Sequence, residues 1–422
     1  MSLRGGSRLV LLALAGAVFV VFPLLAIAAK TGVLDKKFGK HGLAIAQVGN
    51  DGSGANLVAV APDGGIIAAG MSVFAEGEDS EGHFVVARFT TKGKLDSGFG
   101  SNGSTIVDFG GGPLAFDIPA DMALTNDGEI LVAGSAVDDE GNGAAGIARL
   151  DANGQLDKTL DGDGMLAASP GGLERATAVL PLAGGAFYVI GPSKKSLEIA
   201  RFNADGTLDA AFGTGGFAPT DLGESGGIGH AVMTADGKIV VAGDFGLMRF
   251  SDDGSLDTTF GDDGVAPATD PDMANLAQDS KGNLIAAGGR NIARFTPDGK
   301  LDNSFAEDGT FEFSSVSGFA GAGLAVGAKD SVVASGTTKP TKSKTTAQHR
   351  FAVAVLKRNG RLNRTFANRG FATNKKGDVA KAVTTQKDGK IIAAGRTFGR
   401  NIFIGSIAGR DTQMMLARYL KP

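Results

Sequence analysis

The chain of 422 residues has no cysteine and no tryptophan, only two tyrosines and four histidines. Without cysteine an exported fold has no disulfides and must be held by ordinary core burial, which a chain of this size can supply. Histidine is too scarce to build sites by number. His41, His83, His230 and His349 fall at unrelated places, so no general base and no metal set can be read from them. Nor is there a G-x-S-x-G, an H-E-x-x-H or a phosphate loop. No excess of positive charge is present either, and no dense Lys/Arg run is interleaved with aromatics, which argues against nucleic acid as a partner.

What the sequence has in quantity is glycine, at 66 residues, and one long apolar run close to the start. Arg4 and Arg8 precede apolar residues 9–25, and Ala26-Ile27-Ala28 fits the small-x-small cleavage rule, so residues 1–28 read as a secretory signal with a mature N-terminus at Ala29. A run of that length could also stay as a membrane anchor, although Pro23 disfavours a straight spanning helix. With Arg4 and Arg8 removed, 39 basic residues stand against 45 acidic ones, a formal charge of −6. Periplasm, cell surface and medium are all compatible with such a chain, with no membrane contact after cleavage.

The glycines recur beside turn residues and short apolar runs. A G-x-L-D-x-x-F-G-x-x-G segment begins at Gly32, Gly93, Gly154, Gly206, Gly254, Gly299 and Gly360, at intervals of 61, 61, 52, 48, 45 and 61 residues. Each interval carries an apolar strand ending in a turn such as Pro62-Asp63-Gly64, then a run such as Ile66-Ile67-Ala68-Ala69-Gly70, then one such as Val85-Val86-Ala87-Arg88-Phe89. With the short strand after F-G-x-x-G, four strands recur seven times, which predicts an all-β, seven-bladed β-propeller over residues 29–422. A solenoid is the alternative, but an open stack needs atypical capping ends. Here the ends are complementary: a lone strand at 43–48 opens the array and three strands without a fourth close it. Pairing the first strand with the last blade would leave no free edge, and a monomer is expected.

The repeated segment, followed by an x-D-G-K-I-x-x-A-G hairpin as in 236–243, resembles the bacterial delta-60 repeat family of presumed β-propellers. The resemblance covers residues 32–422, with departures at Leu160-Asp161 and Leu362-Asn363. It implies export and a propeller, and it supplies no catalytic residues.

The predicted inner strands, at 56–61, 120–125, 177–182, 229–234, 274–279, 322–327 and 381–386, are mostly Ala, Val, Leu and Met. Their polar starts, Asn56, Asp121, Thr177, His230, Asn275 and Lys381, are expected to ring one channel mouth, where they could bind a ligand or simply form a wet rim. Links between second and third strands emerge on the same face, and three of them, 71–83, 337–350 and 396–413, are expected to be long loops. Glu76, Glu78, Asp79, Glu81, Asp138, Asp139 and Glu140 make one side of that face acidic. Lys339, Lys342, Lys344, Arg350, Arg396, Arg400 and Arg410 make the other basic. The loop at 138–143 lacks the closing glutamate of a calcium loop, having Arg149 there, so neither a metal nor a cofactor is expected.

One charge pattern follows the repeat. Arg88 and Asp96, Arg149 and Asp157, Arg201 and Asp209, Arg249 and Asp257, and Arg294 and Asp302 are each eight residues apart, and a buried ion pair is expected from each. In the sixth unit Val355 and Asn363 replace both charges together. Arg418 has no following G-x-L-D, so ring closure predicts that it meets Asp35. The expected function is a non-enzymatic extracytoplasmic module that binds a protein or glycan on the variable-loop face; the alternative is a hydrolase or lyase at the channel mouth.

Overall fold

Seven four-stranded antiparallel sheets succeed one another along the chain, six of them with all four strands in sequence order from the inside outwards and the last with its first three. The computed structural model describes residues 31–422 apart from 50, 77–78, 111–114, 138–141, 194–195, 222–226, 271, 314–317, 339–348 and 399–410. The signal expected at 1–28 lies outside the described residues, as do Glu78, Asp138, Asp139, Glu140, Lys339, Lys342, Lys344, Arg400 and Arg410. Among the described residues no helix is long and apolar enough to cross a membrane.

The inner strands of blades 1 to 7 are Gly52–Val60, Ile118–Leu124, Ala178–Pro181, Ile228–Met233, Asn275–Gln278, Phe319–Val326 and Gly377–Thr385. The outer strand of blade 7 comes from the start of the array. Leu43–Ala46 pairs antiparallel with Met414–Tyr419, Leu43 opposite Ala417 and Ala46 opposite Met414. The protein is therefore a seven-bladed β-propeller closed by its N-terminal strand.

Each sheet is covered on both faces, which is why its second and third strands read as unbroken apolar runs. Ile66, Ile67, Ala68 and Ala69 are all at most 1% exposed. The buried side chains sort into seven clusters, one for each pair of neighbouring blades. An open row of seven sheets would have six such interfaces. The seventh joins Met414 and Leu416 of the last blade to Ile66 and Val85 of the first.

The repeated segment is the bracket between blades. Asp96 N–H returns to Arg88 C=O at 2.8 Å, and Phe99, 1% exposed, enters the core. Gly100 N–H then donates to Asn153 C=O of blade 2 at 2.7 Å, just before Gly154. A β-carbon on Gly154 would stand 2.6 Å from the Phe99 ring, so the first glycine of one repeat is the floor on which the phenylalanine of the preceding repeat rests. At the seam Ala367 N–H donates to Thr31 C=O at 3.1 Å and Gly32 faces the Phe366 ring in the same way.

One expected loop is not a loop. The second and third strands of blade 1 run as Ile66–Glu76 and Asp79–Phe89, paired as far as Glu76 opposite Asp79. Residues 71–76 and 79–83 thus continue the two strands as a tall hairpin, because Met71 and Val73 are buried and the ladder stays worth forming beyond the blade.

Candidate functional site at the channel mouth

The second strand of each blade carries, or in blade 5 is directly followed by, the glycine of A-G or its equivalent, and this glycine shapes the channel. A β-carbon on Gly70 would lie 1.7 Å from Gly54 C=O, on Gly134 2.0 Å from Ile118 C=O, and on Gly395 1.9 Å from Val379 C=O. The inner strand bulges there. Its register slips between Ala55 and Leu57, Pro119 and Asp121, Ile228 and Ala231, Gly321 and Gly323, and Ala380 and Ala382. The extra residues include Asn56 and Lys381. A bulge re-aims a side chain, and here it turns polar groups into the lumen instead of into the sheet stack.

Asn56, Asp121, His230, Asn275 and Lys381 all line one cavity of about 410 Å³. They come from blades 1, 2, 4, 5 and 7, and all are half-buried. Thr177 is not among the lining residues. Its hydroxyl donates to Ile190 C=O of its own sheet at 3.2 Å, satisfying itself locally. Arg396 and Met71 line the cavity although the strand-start pattern did not point to them, since both sit on second strands. The A-G glycine next to each was the available signal.

Asp121 is held firmly. Oδ1 accepts Met122 N–H at 2.8 Å and Oδ2 accepts Val179 N–H of blade 3 at 2.9 Å. His230 Nδ1 stands 3.7 Å from Asp121 Oδ1. Burial in the channel works against an imidazolium, yet the Asp121 carboxylate outweighs it and lifts His230 above its ordinary pKa. Lys381 is pushed below the usual lysine value by burial and by the like charge of Arg396, against a smaller pull from Asp378. Arg396 Nε donates to Asp378 Oδ2 at 2.9 Å. The mouth thus offers amides, a fixed carboxylate, an imidazole and an ammonium, which can donate and accept at once.

On the bracket, Arg88 and Asp96 lie 3.1 Å apart, Arg149 and Asp157 2.7 Å, Arg201 and Asp209 3.2 Å, Arg249 and Asp257 2.7 Å, and Arg294 and Asp302 2.8 Å. Arg418 Nη2 reaches Asp35 Oδ2 at 2.9 Å. Burial is uneven. Arg418 and Asp35 are nearly enclosed, whereas the Arg201 side chain is 34% exposed and the Asp96 side chain 35%. The guanidinium also stacks on the phenylalanine of the bracket, 4.5 Å from the Phe38 centroid for Arg418 and 4.7 Å from Phe260 for Arg249. These charges hold blades together and do not face the cavity.

Among solved structures the chain is similar to a catalytically inactive virginiamycin B lyase from Staphylococcus aureus with quinupristin, at 11% identity and TM-score 0.51, covering 89% of this chain and 98% of that one. The selenomethionine-substituted lyase from the same organism gives 11% identity, TM-score 0.50, and coverage of 86% and 94%. At such identity the likeness shows the fold alone. No curated protein matches the sequence. The family match is to the domain of unknown function (DUF5122) beta-propeller, over residues 61–99, 125–160, 182–212, 234–260 and 282–305, and it is this β-propeller family that the first five repeats of the chain are similar to.

Proposed function

We propose that the propeller is a non-enzymatic binding module that takes a glycan, or a protein segment of comparable size, on the variable-loop face with its polar groups reaching into the channel mouth. The observation that carries this reading is the convergence of Asn56, Asp121, His230, Asn275 and Lys381 from five blades on one cavity of about 410 Å³. A rigid concave site with a few fixed polar groups is what small-ligand recognition uses. Mixed donors and acceptors suit a hydroxyl-rich ligand better than a strongly charged one. Export to the periplasm, surface or medium fits the signal at residues 1–28 and the resemblance of the repeats to the delta-60 family.

A glycan array probed with the mature protein and with the Asn56→Ala/Asn275→Ala double variant tests the reading. Retained binding to the same glycans by the folded double variant would overturn it; about tenfold or greater loss is expected from removing two amides that hydrogen-bond a ligand. The second reading, a hydrolase or lyase at this mouth, is favoured by the His230–Asp121 pair, since an oriented imidazole is what a general base needs. His230→Ala separates the two. It leaves a binding module able to hold its ligand with modest loss, and it abolishes turnover in an enzyme.

A further inference from the structure

We propose that His83, Asp108 and Asp117 form a binding site for a divalent transition-metal ion of the zinc class, bridging blades 1 and 2 on the loop face. His83 Nδ1 lies 3.3 Å from Asp108 Oδ1 and 3.9 Å from Asp117 Oδ2. One ligand atom from each residue falls within 4.8 Å of the others. An ion held at roughly 2.0–2.2 Å keeps neighbouring ligands about 3–4 Å apart, so the three need little movement to share one.

The side chains are aimed by backbone. Gly82 N–H donates to Ala115 C=O at 2.9 Å, and Asp117 N–H returns to Gly82 C=O at 2.8 Å, tying the tall hairpin of blade 1 to the entry of blade 2. Gly82 permits this approach, since a β-carbon there would be 2.7 Å from the Phe116 ring and 2.8 Å from the Met71 sulfur. Asp117 Oδ2 accepts Phe109 N–H at 3.3 Å, and Asp108 Oδ1 accepts Gly110 N–H at 2.8 Å. On the far side of the imidazole, Nε2 is 3.2 Å from Glu81 Oε1. That contact favours the tautomer with its proton on Nε2, leaving the Nδ1 lone pair toward the two aspartates, as in carboxylate–histidine–metal arrangements.

A second observation is independent of the clustering. The His83 side chain is 7% exposed and that of Asp117 is 1%, yet His83 Nδ1 and Asp117 Oδ1 are buried without a hydrogen-bond partner. Buried polar atoms normally find partners, and a metal ion would supply one. Charge agrees: two carboxylates and a neutral imidazole balance a divalent cation. The imidazole nitrogen selects the zinc class over calcium or magnesium, which prefer all-oxygen shells. The Asp108 side chain is 57% exposed, so the solvent side stays open for water or an outside ligand.

Calorimetric titration of chelator-treated mature protein with Zn²⁺ tests the site, with Co²⁺ absorption as a spectroscopic readout. One saturable Zn²⁺ site per chain is expected, with visible Co²⁺ bands and no displacement by Mg²⁺. Asp108→Asn changes a residue at an exposed strand end and should keep the fold; it and His83→Ala should each weaken binding by about tenfold or more. An adventitious surface ion would bind the folded Asp108→Asn and His83→Ala variants unchanged. That result overturns the proposal, as does the absence of saturable Zn²⁺ binding to the unaltered protein, which would leave His83 as an imidazolium paired with its carboxylates.

Discussion

Arg418 joins three partners at the seam. Its guanidinium donates to Asp35 and to Thr91 C=O at 2.7 Å, and it covers the Phe38 ring. Burial works to raise the Asp35 pKa, but Lys37 N–H, Arg418 and Lys390 outweigh it and hold the carboxyl below its ordinary value. Arg201, by contrast, is 34% exposed beside Asp209. Arg418→Ala is therefore expected to cost roughly 3–5 kcal/mol, because it strands a nearly enclosed carboxylate. Arg201→Ala should cost about 1 kcal/mol or less from the pair itself. Urea midpoints of the two variants check this, and equal losses would show that burial does not govern these pairs. Blade 6 shows what remains without the charges. Val355 is fully buried, and Asn363 N–H still donates to its carbonyl at 2.8 Å, so the backbone forms the bracket and the ion pair reinforces it.

At the scale of the element, the bulged inner strand and the glycine facing it act as one unit. Removing the space at Gly70 forces either the bulge or the second strand to move, since Gly54 C=O occupies the position a β-carbon needs. Gly70→Ala should destabilise by about 1–3 kcal/mol, as overpacking does, and should weaken any ligand that touches Asn56. Thermal melting reads the first effect and ligand titration the second. A neutral substitution would mean that the bulge is not enforced by this contact. The glycine was legible as a repeated letter in seven units, but its reason was not. The letter marks a close approach between strands that only their pairing creates. The tall hairpin of blade 1 was misread as a loop for a similar reason: Met71 and Val73 are apolar in any setting, and their burial against neighbours is a tertiary fact.

For the whole molecule the decisive feature is the seam, where the first strand, the bracket at Thr31 and Gly32, and the pair Arg418–Asp35 all join opposite ends of the chain. Deleting residues 31–48 should open the edge of Met414–Tyr419 and uncover Met414 and Leu416, now buried against blade 1. Light scattering should then show association, with a lower melting temperature; a monomer that melts unchanged would place closure elsewhere. By itself the sequence determined the number of blades, the order of their strands, the mate of each bracket arginine and the phase offset that closes the ring. Each of these is written in local spacing, repeated often enough to be read without coordinates. The tertiary structure alone decided that Thr177 turns away from the mouth while Arg396 turns towards it, and that His83 meets Asp108 and Asp117. Those outcomes depend on bulge geometry and on how closely Gly82 lets two blades approach, distances that arise between repeats and that no spacing within a repeat encodes.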